Sequence, residues 1–199
     1  MLTIVLLPGM DGTGELFAPF ISAMGHEFGL TVVSYPPTGA QGYRELEAHA
    51  RAALPRHERF VVLGESFSGP VAVSIAASHP AGFAGLILCS TFCSTPALRA
   101  ALTHAMSQVS AQTLRSRLQA VLSVEVSDRL KAVDVPVLYL RATQDRVVPA
   151  SASRHIKRIL PTTRVAPVEA PHFLLQAAPV QATRIVSRFL RFSVIAPAL

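Results

Sequence analysis

The sequence predicts an α/β protein, built as a three-layer α/β/α sandwich around a mainly parallel sheet. Short runs of β-branched and apolar residues recur along the chain with helical patterns between them, the signature of strands joined by crossover helices. Half of the 199 residues are hydrophobic and only 15% are charged, a composition that excludes disorder and suits strands buried on both faces. A chain of this length fits one domain, 1–199, with a sizeable core.

The elements follow in order. Leu2 to Leu7 is a strand that runs straight into a turn; with no basic segment before it, the start reads as a strand and not as a signal peptide. A helical pattern near 14–25 precedes a strand at Leu30 to Ser34, and a helix near 43–54 precedes a strand at Phe60 to Leu63. A helix near 67–79 then leads to a strand at Leu86 to Cys89. Between Ser94 and Lys131 the alternation breaks. There Leu98, Leu102, Met106, Val109, Leu114, Leu118 and Leu122 recur every three or four positions, so two short helices are expected over the end of the sheet, forming a short helical lid at 94–131. Alternation resumes with a strand at Val135 to Leu140, a helix near 150–160, a strand at Thr163 to Val168 and a helix near 173–191.

Several function classes are excluded at this level. Pro, Gly or charge interrupts every apolar run within about ten positions, short of the roughly 18 residues of a spanning helix, so no stable membrane insertion is expected and the location is read as cytoplasmic. Cys89 and Cys93 are too few for a disulfide framework or a metal site and are expected as buried free thiols. The net charge of +6 lies mostly after residue 100, and Arg184, Arg188 and Arg191 recur at helical spacing. Such a stripe is ordinarily a solvated face; its functional alternative is attraction of an anionic carrier or a phosphate-bearing, CoA-type substrate. Nucleic acid is not expected, for want of aromatic interleaving or a binding motif.

The chemistry concentrates at Gly64-Glu65-Ser66-Phe67-Ser68-Gly69, directly after a strand and before a helix. A serine at the apex of such a turn is strained, and small residues two before and two after it let the chains approach. Gly64 and Ser68 meet that demand, and Pro70 suits a first helical turn. Ser68 is a poorer nucleophile candidate, because the turn would then shift into the helix. A serine hydroxyl needs a base, and the base an orienting carboxylate. Asp145 follows one late strand and His172 the next, so both fall in loops at strand ends. Asp128 and Asp134 precede their strand, and Glu169 is too near His172 in sequence to reach around its ring. Among the seven histidines, His172 alone stands after the final strand. Acyl transfer also needs fixed donors for an oxyanion. The N–H of Phe67 is one candidate; the other is that of Met10 in the glycine-rich Pro8-Gly9-Met10-Asp11-Gly12-Thr13-Gly14, which lacks the features of a P-loop or dinucleotide fingerprint.

Together, Leu6 to Gly14, Gly64 to Gly69, Gln144-Asp145-Arg146-Val147-Val148-Pro149 and Ala170-Pro171-His172-Phe173 resemble the oxyanion loop, nucleophile elbow, acid loop and histidine loop of the α/β-hydrolase superfamily. The resemblance covers nearly the whole chain. Two departures are Pro8 where many members have His and Ser68 where Gly is usual. The family's first two strands are missing, which implies a six-stranded sheet in the order 2-1-3-4-5-6, and no metal or organic cofactor is implied. The resemblance further implies a serine carboxylesterase or thioesterase with a Ser66-His172-Asp145 triad, acting on a small-molecule ester or thioester of short to medium acyl length. Acyl transfer to an alcohol and non-catalytic ligand binding are the alternatives. A shallow pocket lined by Met10, Phe67, Phe92, Met106, Val147 and Phe173 is expected.

Overall fold

A computed structural model describes residues 1–38, 41–94 and 112–195. Met106 and the first part of the expected lid lie outside them. Six strands, β1 (Thr3–Leu7), β2 (Gly29–Val32), β3 (Phe60–Glu65), β4 (Phe83–Cys89), β5 (Val137–Ala142) and β6 (Arg164–Val168), form one sheet in the order β2-β1-β3-β4-β5-β6. Every neighbouring pair is parallel. Strand count and order are those that the resemblance implied.

Alternate residues supply the two faces, as the two-residue period of a strand requires. Val5, Leu7, Val62, Leu86, Leu88 and Tyr139 meet α2 (Tyr43–Ala52), α3 (Gly69–Ala76) and α6 (Ala150–Ile159) through Leu46, Ile75 and Ile156. Ile4, Leu6, Val61, Leu63, Ile87 and Leu140 meet α1 (Ala18–Met24), α7 (Leu174–Ala177) and α8 (Pro179–Phe189) through Phe20, Leu174 and Val186. Each such side chain contributes about 1.5 to 3 kcal/mol when fully buried. Two further helices, α4 (Gln112–Ser123) and α5 (Ser127–Lys131), belong to the segment expected as a lid, within which an isolated antiparallel bridge joins Ser94 to Glu125.

Local chemistry explains where boundaries depart from the sequence pattern. The helix expected over 173–191 is two helices, because Ala178 precedes Pro179 and leaves the helical region (φ −135, ψ 53). Beyond Phe189 the chain continues as a π-helical stretch, Leu190–Ile195. β4 begins three residues early at Phe83, where Gly85 packs so closely that a Cβ would lie 3.1 Å from both Val61 and Val194. β5 begins after Pro136 and extends to Ala142.

Parallel register brings the ends of β1, β3 and β4 level: Leu7 pairs with Gly64, and Glu65 with Cys89. The loops that follow these strands therefore emerge side by side, with those after β5 and β6 continuing the row. Both cysteines are buried and free. No helix among the described residues is long and apolar enough to cross a membrane.

Candidate active site

Ser66 opens a 3-10 turn, Ser66–Ser68, between β3 and α3, and its φ of 47° is in the left-handed region that side chains disfavour. Small neighbours make the turn possible. A Cβ on Gly64 would sit 2.7 Å from the Ala72 Cβ and 2.9 Å from the Ser68 carbonyl oxygen, and one on Gly69 would collide with Thr91. The Thr91 hydroxyl donates to the Ser66 carbonyl oxygen. From Phe60 to Ala76 every residue is buried except Ser66, which is half-buried, so the turn presents one side chain to the outside.

His172, in the loop between β6 and α7, places Nε2 2.8 Å from the Ser66 hydroxyl. Its Nδ1 lies 2.9 and 3.0 Å from the two carboxylate oxygens of Asp145, in the loop after β5. Asp145 Oδ1 also accepts the N–H groups of Val147 and Val148, each at 2.8 Å. Burial opposes ionisation of Asp145, but the His172 contact and the two backbone donors outweigh it and hold the carboxyl below its ordinary range. The side chains of His172 and Asp145 are both nearly covered.

The loop after β1 turns tightly, with the Gly12 N–H donating to the Gly9 carbonyl oxygen at 3.2 Å and with positive φ at Gly12 and Gly14. Asp11 closes its outer side by accepting the Thr13 N–H and hydroxyl at 3.0 and 2.7 Å. Pro8 and Ser68, the two departures from the motifs this chain resembles, meet here. Ser68, fully buried, donates its hydroxyl to the Pro8 carbonyl oxygen and shares a 2.8 Å hydrogen bond with the Tyr35 hydroxyl. That hydroxyl is thus occupied in joining the β1 loop to the elbow. Phe67 stands in the first helical turn after Ser66, where N–H groups have no intrahelical partner; its carbonyl accepts the Tyr43 hydroxyl at 3.0 Å, and the two rings stack at 5.0 Å.

No protein-family model matches the chain. A curated protein of Caulobacter sp. (strain K31), named "Putative carbamate hydrolase RutD", is 23% identical over 83% of this chain and 82% of its own length. Among solved structures, a lipase-esterase related protein from Clostridium acetobutylicum superposes with a TM-score of 0.80, at 12% identity over 94% of each chain. The enol-lactonase from Burkholderia xenovorans superposes with a TM-score of 0.77, at 17% identity over 96% of this chain and 91% of its own. The fold is the α/β-hydrolase fold.

Within this α/β-hydrolase fold, Val147 and Phe173 are half-exposed beside Asp145 and His172, and the Phe173 ring stands edge-on to the His172 ring at 5.3 Å. Phe92 is buried in the core cluster with Val71 and Tyr139, and Met10 packs partly buried against that cluster. Met106 lies outside the described residues.

Two groups went unnoticed in the sequence. Glu65, the residue before Ser66, is 2% exposed and accepts the Gln176 amide at 3.2 Å; the same amide donates to the Leu16 carbonyl oxygen at 3.0 Å. Burial pushes the Glu65 carboxyl up to about 7, with Gln176 and His172 pulling down and Asp11 adding to the rise. The elbow motif contains Glu65, so a charged residue ending a buried strand was its available signal. Arg117, on α4, is 4% exposed and donates to the carbonyl oxygens of Met10 (2.5 Å), Asp11 (3.1 Å) and Pro36 (3.3 Å). No local pattern announces it, because its partners are about a hundred residues away in sequence.

Proposed function

We propose that this chain is a serine hydrolase that cleaves carboxylic esters or thioesters of short to medium acyl groups through an acyl-enzyme. The observation that supports it most is the continuous relay from the accessible Ser66 hydroxyl through His172 to Asp145. In this reading Ser66 Oγ attacks the carbonyl carbon while its proton passes to His172 Nε2, and Asp145 stabilises the imidazolium that forms. The N–H groups of Met10 and Phe67 receive the oxyanion. Collapse breaks the bond to the leaving oxygen or sulfur, which takes the proton from His172. Water then attacks the acyl-Ser66 carbonyl by the same route, releasing the acid and restoring the hydroxyl.

The named activities of the similar proteins, a carbamate hydrolase and an enol-lactonase, both involve cleavage at an acyl carbon, in keeping with this chemistry. The chain is read as one domain, with 94–131 as its cover and Val147, Phe173 and Phe92 among the residues near the acyl group. Free buried thiols are suited to a cytoplasmic location.

The deciding experiment is a panel of p-nitrophenyl esters and acyl-CoA thioesters on wild type and Ser66→Ala. Turnover should fall by roughly 10⁴-fold or more in the variant, with an unchanged melting temperature. Fluorophosphonate labelling that persists in Ser66→Ala would refute the assignment. Dominant acyl transfer when an alcohol is present would make the chain an acyltransferase instead.

A further inference from the structure

Charge is divided along this chain. Residues 1–140 carry nine Arg or Lys and ten Asp or Glu, whereas residues 141–199 carry nine and two, so the two parts contribute −1 and +7. Of those two acids, Asp145 faces His172, and Glu169 is left as an exposed carboxylate. Arg154, Lys157 and Arg158 on α6, Arg164 on β6, and Arg184, Arg188 and Arg191 along α8 and its continuation are all exposed. Among the described residues, only Arg191 of these seven has a carboxylate partner, Glu27 at 2.6 Å.

The C-terminal helix adds a second feature. Its residues 179–195 include no acid. Ala182, Thr183, Val186, Phe189, Leu190 and Val194 are buried, which is the face that α8 and its continuation turn to the core. The opposite face comprises Val180, Arg184, Arg188, Arg191, Phe192 and Ile195, recurring every three or four residues and all exposed. Val180, Phe192 and Ile195 are 56%, 64% and 48% exposed, although they are large and apolar. A merely solvated basic stripe would gain nothing from these side chains.

We propose that this outer face docks on an anionic lipid surface. Guanidinium groups pair with phosphate oxygens in a forked geometry, and cations near a negatively charged leaflet add their attractions. Interleaved apolar side chains enter the boundary between headgroups and acyl chains, which a soluble polyanion does not offer. A groove of about 340 Å³ beside the helix, whose wall includes Met24, Arg184, Arg188, Phe192 and the Arg191–Glu27 ion pair, gives a headgroup phosphate the guanidinium groups of Arg184 and Arg188, which no carboxylate engages among the described residues. The association is peripheral. A nucleic acid would call for several stacking rings, and this face has one aromatic side chain.

The test is cosedimentation of the full chain with phosphatidylcholine vesicles, with and without about one-third phosphatidylserine, at low and physiological salt. Binding should require phosphatidylserine and weaken at least tenfold as salt rises. Arg184→Glu with Arg188→Glu should abolish it, and Phe192→Ser should weaken it several-fold. Both variants should keep the wild-type melting temperature and the wild-type rate on a soluble ester; the melting measurement stands even if no ester is turned over. Equal binding to neutral vesicles, or binding unaffected by the double substitution, would overturn the proposal. So would equally tight binding to heparin that is indifferent to Phe192→Ser, which would assign the face to a soluble polyanion.

Discussion

Glu65 and Asp145 are carboxyls whose protonation folding drives in opposite directions. The Glu65 carboxyl ordinarily titrates near 4.5 and is pushed up to about 7 in the folded chain, chiefly by burial. Its stabilising effect is therefore complete below the ordinary value and is lost as pH rises through about 7, a loss on the order of 3 kcal/mol. Asp145, held below its ordinary range, stabilises above that range and ceases to do so as pH falls through its lowered value. Glu65→Gln should thus raise the melting temperature at pH 8 relative to wild type and leave acid unfolding unchanged; melting curves from pH 4 to 9 check this, and a parallel loss at every pH would contradict it. Ser66, His172 and Asp145 could be picked out in the sequence because each follows a strand within a few residues. The states of Glu65 and Arg117 could not, because they depend on which groups the fold sets opposite them.

Helix α4 reaches the loop after β1. Its Arg117 guanidinium joins three carbonyl oxygens on two segments, the β1 loop and the chain at Pro36. Arg117 grips the carbonyl of Met10, one peptide beyond the Met10 N–H proposed to face the oxyanion, and in that reading it is a positioning residue. Arg117→Ala should lower kcat about tenfold to a hundredfold with KM little changed, and Lys should restore little, since an ammonium lacks the planar fork. A change in KM alone would instead give Arg117 a part in the acyl pocket. Element boundaries were the less readable part of the sequence. Ala84-Gly85 carries no β-branched residue, yet pairing of Phe83 with Phe60 and of Gly85 with Val61 draws it into β4, with a register shift at Ala84; the Ala178-Pro179 break, by contrast, was available from the proline.

For the molecule as a whole, the strands were legible because each announced itself by composition, and their order came from the resemblance to the α/β-hydrolase superfamily. Charge in the last third was visible as a stripe, but which side chains face outward became clear only from packing on α1 and the sheet. The chain has three tyrosines and no tryptophan. Tyr35 bonds Ser68, Tyr43 bonds the Phe67 carbonyl oxygen, and Tyr139 donates to the carbonyl oxygen of Thr91 and accepts its N–H. Every phenol in the protein thus abuts the elbow or the threonine that braces it. Burial pushes Tyr35 up to about 12 and raises Tyr43 and Tyr139 as well. In an alkaline titration, phenolate absorbance should stay silent until the elbow opens and then rise from all three rings as activity disappears. Ultraviolet fluorescence and absorbance of the native protein become a label-free gauge of a single turn, installed by the sequence itself at the place where acylation of Ser66 would be felt.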